Sequence, residues 1–420
     1  MFALVDCNNF YVSCERVFDA SLQGKPVVVL SNNDGCIISR SQEAKDLGIK
    51  MGEPYFKRRR WLAEQGVRVF SSNYTLYGDM SGRVMEVLSN FTPELEVYSV
   101  DEAFLRLDGF LQQDLLTYSQ TIQETIGRGL GIPVCVGIAP SKTLAKMANH
   151  LAKKKRQQSG GVWIISTEEE REQALKDVSI GDVWGVGRQY AARLQAAGVQ
   201  TAWDLTQRSS DWVRQHLGGV VGVRLLKELQ GKPCVQTALL QDKKSIACTR
   251  SFGKPVQDLT QLQEAVATYA TRAAEKLRRQ KSAAGAVTVF IHTSRFAPVE
   301  QYFRSITLEL PVATDSTLEL VQLAVDGVKK IFRPDIQYAK AGVILTELVP
   351  VQSIQADLFQ VPTVVEHKGL MKAVDHINQT WGSGTVVLAA AGGQQEWQML
   401  KGMRSRRFTT HWNDLLWVRC

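Results

Sequence analysis

The chain has 420 residues, 44% of them hydrophobic and 22% charged, with a formal net charge of +8. That length argues for about three or four modules rather than one core, the composition is ordinary for a soluble protein with packed cores, and the basic excess leans toward polyanionic partners without naming one. Seven cysteines stand far apart with no C-x-x-C pair, which speaks against a disulfide framework or a zinc site.

The first predicted element is a strand over residues 2–7, Phe2-Ala3-Leu4-Val5 closing on Asp6. Its apolar run is too short for a signal peptide and no basic region precedes it. No stretch approaches the length of a membrane span, so no membrane contact is expected. Strands at 26–30 and 36–40 flank Asn32-Asn33-Asp34-Gly35, a strong hairpin turn. Helices are predicted at 41–47 and 74–89, the second with Tyr77, Met80, Val84, Val87 and Leu88 at helical spacing. Strands at 95–100 and 103–107, a helix at 112–129, a strand at 132–138 and a helix at 141–154 follow. Strand, helix, two strands, helix, strand is a ferredoxin-like order, with residues 19–73 as an inserted subdomain.

Residues 166–235 read as short helices, and the polar 236–244 as a linker. The βαββαβ order then returns as strand 245–252, helix 259–280, strands 285–293 and 301–310, helix 315–332 and strand 338–347, a second ferredoxin-like unit. Between residues 243 and 340 there are 15 Lys and Arg against 9 Asp and Glu, so most of the chain's positive excess falls here. Residues 351–420 read as a separate tail. The expected class is therefore α+β.

Asp101 and Glu102 interrupt the apolar run of YSVDEAF, residues 98–104. Adjacent strand residues point to opposite faces, so the pair converges only where the backbone bends. Two close carboxylates repel unless a proton or a cation intervenes. If strand 2–6 lies beside this hairpin, Asp6 joins them, and three carboxylates could hold two Mg2+ ions for in-line phosphoryl transfer. An Asp-Glu pair by itself also marks many solvated turns. GIAPSKT (137–143) lacks the Gly before the Lys and is not a phosphate-binding P-loop.

VDCNNFYVSCE (5–15), YSVDEAF (98–104), VGIAPSKTLAKMAN (136–149) and DVWGVGRQYAARLQAAGVQT (182–201) occur in this order. The ordered set resembles the Y-family translesion DNA polymerases. VVVLSNNDGCIISRS and the tail after residue 350 are similar to their UmuC branch.

The resemblance implies a right-hand polymerase. Its parts are a palm (1–18 and 74–165), fingers (19–73), a helical thumb (166–235), the linker 236–244, a little finger (245–350) and a partner-binding tail (351–420). It makes Asp6, Asp101 and Glu102 the catalytic metal ligands, with the Cys7 carbonyl as a further ligand and two Mg2+ as cofactors. Phe10, Tyr11, Ser39, Lys45 and Lys153 fall at nucleotide-binding positions. Tyr11 is at the steric gate, where a ring against the sugar leaves no room for a 2′-hydroxyl. Lys45 stands where many relatives carry Arg, and a point charge replaces a bidentate fork.

Gly185 and Gly187 fit a helix-hairpin-helix, whose second helix offers backbone N–H groups to a DNA phosphate; they also fit an ordinary interhelical turn. Lys243, Lys244, Arg250, Lys254, Arg295 and Arg304 are candidate DNA contacts in the basic unit. Gln355, Leu358 and Phe359 of IQADLF resemble the peptide that docks on the bacterial sliding clamp. The implied activity is error-prone translesion synthesis from dNTPs on primed template DNA in the SOS response of a bacterial cytoplasm. The implied partners are a processed UmuD-type dimer, the RecA filament and the clamp. Two other readings share these residues: a two-metal nuclease, and a catalytically silent DNA- and clamp-binding scaffold.

Overall fold

The computed structural model describes residues 1–110, 114–235, 242–355, 364–393 and 395–416. They fall into two compact units.

In the first unit, β1 (Phe2–Cys7) leads into α1 (Phe10–Phe18). Next come β2 (Val27–Leu30), β3 (Ile37–Arg40), α2 (Gln42–Asp46), α3 (Tyr55–Glu64) and β4 (Arg68–Ser71). These three strands form a small sheet in the order β3-β2-β4. The expected hairpin is present, its turn allowed by positive φ at Asn33 and Asp34, a conformation Asn and Asp adopt more readily than other residues. α3 and β4 have no counterpart in the sequence reading.

The chain continues through α4 (Tyr74–Ser89), β5 (Leu95–Val97), β6 (Glu102–Arg106), α5 (Leu115–Leu130), β7 (Val134–Ala139), α6 (Lys142–Lys154), α7 (Arg156–Ser159) and β8 (Val162–Ile164). The resulting sheet runs β5-β6-β1-β7-β8. Its first four strands have the ferredoxin-like arrangement, with β1 antiparallel to both β6 and β7.

The strand period of two decides the faces. Ala3, Val5, Cys7, Ala103 and Leu105 pack into one core with Tyr77, Met80 and Val84 of α4 and Ile122 and Ile126 of α5. Leu4 and Phe104 face the other way, into a core shared with Leu144, Ala148 and Leu151 of α6. α6 lies tight on the sheet because β7 has Gly137 beneath it: a Cβ there would stand 2.2 Å from the Asn149 amide nitrogen. Asn149 Nδ2 ties the helix down by donating to the Leu4 and Cys135 carbonyls at 3.2 and 2.9 Å.

The helices α8 (Glu168–Asp177), α9 (Arg188–Ala196), α10 (Ala202–Thr206), α11 (Ser210–His216) and α12 (Val220–Leu229) complete this core. Capping boxes at Thr167 and Thr201 start α8 and α10.

The second unit contains β9 (Ile246–Val256), α13 (Leu259–Arg279), β10 (Ser282–Thr293), β11 (Phe303–Thr314), α14 (Thr317–Ile331), β12 (Tyr338–Pro350) and α15 (Val364–Thr380). It is antiparallel throughout, in the order β11-β10-β12-β9. Here the second and fourth strands are central, whereas the first and third are central in the sheet built on β1. α13 and α14 cover one face.

The tail has no core of its own among its described residues. Asp375 pairs with Arg278 of α13 at 2.7 Å, and Trp397 buries itself against Tyr269. Residues from Met403 onward belong to the first unit.

Candidate active site

Strand alternation puts Asp6 and Glu102 on the α6 face of the sheet, directly opposite one another in the β1–β6 register. Asp101 lies just before β6. The strand predicted over 95–100 stops at Val97, because the Tyr98 and Ser99 amides both turn back to the Glu102 carbonyl, at 3.0 and 3.1 Å. Glu102 is therefore the first residue of β6 and Asp101 the last of the turn. Ser99 Oγ sits between them, 2.7 Å from Asp101 Oδ1 and 3.5 Å from Glu102 Oε2. The Asp101 carbonyl accepts from the Cys7 amide at 2.8 Å, which fixes the turn to the end of β1. The backbone bend that lets adjacent carboxylates converge is thus present.

α6 answers this acidic edge with a stripe of cations. Lys142, Lys146 and Lys153 share one helical face with Asn149. Lys142 reaches Glu96 at 2.5 Å, Lys146 reaches Glu102 at 3.0 Å and Lys153 reaches Asp6 at 2.6 Å. Lys146 also lies over the rings of Tyr98 and Trp184, 4.3 and 5.3 Å from their centroids. Sequence reasoning passed over Lys146; its four-residue spacing from Lys142 was the available signal.

Burial pushes the Asp6 carboxyl up to about 7, Lys153 opposes the shift and the nearby Glu102 adds to it. Lysine alone therefore does not satisfy this charge. No group of three or more Asp, Glu, His or Cys side chains among the described residues is arranged to hold a metal ion. The donor chemistry nevertheless fits a hard divalent cation: carboxylate oxygens and a backbone carbonyl at one sheet edge, short of positive charge. Burial and the adjacent carboxylates raise the Cys7 thiol well above its ordinary range, so its side chain is inert.

An open cavity of about 340 Å3 adjoins the carboxylates. It is lined by Asp6, Asp101, Tyr11, Arg40, Lys45 and Lys153, among others. Phe10 and Tyr11 begin α1, with Phe10 buried and Tyr11 half-buried. The Tyr11 ring stacks on Tyr77 at 4.4 Å and 16°. Lys45 Nζ donates to Asn9 Oδ1 at 2.6 Å, and Ser39 Oγ approaches the Asn9 carbonyl at 3.5 Å. Asn9 holds the left-handed conformation that starts α1.

The Lys45 amine is lowered by burial first and then by the Arg40 and Lys153 charges. Three cations crowd this cavity, and a polyanion would relieve them. Arg40 was missed by the sequence reading; its Nε is buried without a hydrogen-bond partner, while Nη1 donates to the Ile49 carbonyl at 2.6 Å.

Gly185 has φ of +93°, and Gly187 precedes α9. Trp184, next to them, packs edge-on against Tyr98 at 5.6 Å. In the second unit, Lys243, Lys244, Lys254, Arg295 and Arg304 are exposed and Arg250 is half-buried. Arg304 pairs in register with buried Ile291, on the helix-covered side of the sheet. Arg250 pairs in register with buried Ala341, on the helix-covered side. The open face carries Phe290, His292 and Phe303 as near neighbours, with Lys340 opposite His292. Gln355 is exposed; Leu358 and Phe359 lie outside the described residues. No helix among the described residues is long and apolar enough to cross a membrane.

The impB/mucB/samB family model matches residues 5–150, and the model of that family's C-terminal domain matches 243–358. The chain is 43% identical to Protein UmuC of Salmonella typhimurium, and the alignment covers 100% of both chains. The chain belongs to the impB/mucB/samB family. A third match, to a domain of unknown function, covers residues 368–418. Protein ImpB of Salmonella typhimurium is 40% identical over 99% of each chain. A DNA polymerase IV of Desulfatibacillum aliphaticivorans is 30% identical over 92% of this chain and 95% of its own.

Among solved structures, a Y-family DNA polymerase chimera of Dbh and Dpo4 superposes with a TM-score of 0.68 at 22% identity, covering 83% of this chain and 99% of its own. The impB/mucB/samB chain thus has the α+β right-hand fold of the Y-family DNA polymerases, and the UmuC-type resemblance holds over its whole length.

Proposed function

We propose that this Y-family DNA polymerase performs error-prone translesion synthesis by a two-metal nucleotidyl transfer centred on Asp6, Asp101 and Glu102. The observation that carries this reading is the pairing of an acidic sheet edge with a tri-cationic cavity walled by Tyr11. An acidic edge alone suits a nuclease equally well. The cluster of Arg40, Lys45 and Lys153 favours a triphosphate substrate, because three cations match its charge.

In this reading the sheet built on β1 is the palm, the small sheet β3-β2-β4 the fingers, α8–α12 the thumb and the second unit the little finger. Two Mg2+ ions held by Asp6, Asp101, Glu102 and the Cys7 carbonyl would supply the charge that activates the primer 3′-hydroxyl and holds the leaving phosphates. Lys153, Lys45, Arg40 and Ser39 bind and orient the triphosphate. The Tyr11 ring, backed by Tyr77, excludes a 2′-hydroxyl. Lys146 and Lys153 keep the carboxylates in place before substrate enters. The 3′-oxygen attacks the α-phosphorus and pyrophosphate leaves, so the protein contributes positioning and electrostatics.

Gly185, Gly187 and the second unit's basic residues would hold DNA through its backbone, giving salt-dependent and sequence-tolerant binding. The SOS role, the processed UmuD-type dimer, the RecA filament and clamp docking through Gln355, Leu358 and Phe359 belong to the same proposal. Primer extension past an abasic site, with and without such partners, tests it. Extension that disappears in Asp101→Ala supports the assignment. Primer degradation without dNTPs would turn it toward a nuclease, and DNA binding without incorporation under every partner condition toward a scaffold.

A further inference from the structure

Within the first unit, the segment Met403–Phe408 packs behind the ring of Tyr11. It enters along the free edge of β4: the Ser71 amide donates to the Met403 carbonyl at 3.0 Å, and the Met403 amide donates to Ser71 Oγ at 2.9 Å. Asn73 Nδ2 then reaches the Ser405 carbonyl at 3.3 Å, Ser405 Oγ at 2.9 Å and the Arg406 carbonyl at 3.0 Å. Phe408 closes the contact by stacking on Phe18 of α1 at 4.7 Å and 8°.

The central contact is polar and buried. Ser405 Oγ donates to Glu15 Oε1 at 3.0 Å, and the Tyr77 hydroxyl donates to the same oxygen at 2.6 Å. Glu15 is 2% exposed and Tyr77 0%. Burial raises the Glu15 carboxyl, and these two donors oppose the rise. A buried carboxylate needs such donors, and one of its two side-chain donors comes from a segment 390 residues away. Tyr77 in turn carries the Tyr11 ring on its face, with Tyr74 set edge-on to both.

We propose that Met403–Phe408 is a positioning element of the nucleotide site, in which Ser405, through Glu15 and Tyr77, sets the ring of Tyr11 and so tunes sugar selection. The proposal deepens the polymerase reading and rests on it for the role of Tyr11. Ser405 is not among the residues that line the cavity; it acts through two buried side chains. Its hydroxyl matters because Glu15 cannot turn to water for a replacement donor, and a loosened Glu15 leaves the Tyr77 hydroxyl with a displaced acceptor.

The test uses the full chain with Ser405→Ala and Ser405→Thr. Ser405→Ala is expected to raise the ratio of ribonucleotide to deoxyribonucleotide incorporation about fivefold, the scale of part of a charged hydrogen bond, and Ser405→Thr to restore it. An unchanged ratio, or an equal loss on both nucleotides, overturns the proposal. Amide hydrogen exchange over Phe10–Phe18 and Tyr74–Tyr77 reads the same coupling without catalysis. Faster exchange in Ser405→Ala that Ser405→Thr reverses is the expected result, and unchanged protection overturns the proposal. A wild-type chain that incorporates neither nucleotide under any of the partner conditions above would defeat the polymerase reading, and hydrogen exchange would then decide the positioning role alone.

Discussion

Asp6 and Glu102 face each other across adjacent antiparallel strands, with a lysine of α6 on each: Lys153 on Asp6 and Lys146 on Glu102. Two carboxylates as direct cross-strand neighbours cost stability. The fold tolerates the pair because α6 brings cations to it and because Asp6 holds a proton more tightly than usual, its carboxyl raised to about 7 by burial.

That shift has a sign. Between the ordinary aspartate value of 3.8 and about 7, the folded protein binds more protons at Asp6 than the unfolded chain does. Stability of the metal-free protein should therefore fall as pH rises through this window. A divalent ion replaces the proton, so millimolar Mg2+ should raise the melting temperature more at pH 8 than at pH 6. Thermal melts of wild type and Asp6→Asn at both pH values check this. The variant should show less of the metal-free pH slope, and an equal Mg2+ shift at both pH values in wild type would count against metal binding at Asp6.

Much of the sheet built on β1 is legible in the sequence because its signals are local. An apolar run marks β1, helical spacing marks α4, and a strand ending on Asp6 beside YSVDEAF points to the acidic edge. Long-range pairings carry no such signal. Ser405 on Glu15 and Lys146 on Glu102 appear only once α4 and α6 have packed on the sheet. Arg40 reads as an ordinary strand-end charge until Lys45 and Lys153 come to the same cavity. Trp397 and Phe408 looked like parts of a separate tail because no sequence pattern says which core a lone aromatic will join. β4 escaped notice because its four residues include one charge and little alternation.

Tyr11→Ala should relax sugar selection. The ring lines the cavity and is held by Tyr77, so its removal opens space for a 2′-hydroxyl. Steady-state incorporation of matched ribo- and deoxyribonucleotides should show ribonucleotide use rising on the order of tenfold or more. An unchanged ratio would remove Tyr11 from the gate position.

Lys45→Ala should weaken binding of the incoming nucleotide. Lys45 is held at the cavity by Asn9 and crowded by Arg40 and Lys153, so it contributes charge where the triphosphate is expected. The KM for dNTP should rise about tenfold, one lost charge-assisted contact, with a smaller change in kcat. A pure kcat loss at constant KM would instead place Lys45 in the transition state alone.

Gly137→Ala should damage the site from beneath. Gly137 lies under α6, where an added Cβ would meet the Asn149 amide nitrogen at 2.2 Å and the Ala145 carbonyl at 2.4 Å. Both are backbone atoms of the helix and cannot rotate away. α6 would have to lift, and the hydrogen bonds from Asn149 to Leu4 and Cys135 would stretch. Overpacking of this kind costs about 3 kcal/mol, visible as a lower midpoint in urea. The lift would also draw Lys146 and Lys153 away from Glu102 and Asp6, so incorporation should fall further than stability alone explains. Measuring kcat/KM well below the unfolding transition separates the two effects. Activity at the wild-type level in a destabilised but folded Gly137→Ala chain would mean that the carboxylates keep their geometry without the lysine stripe.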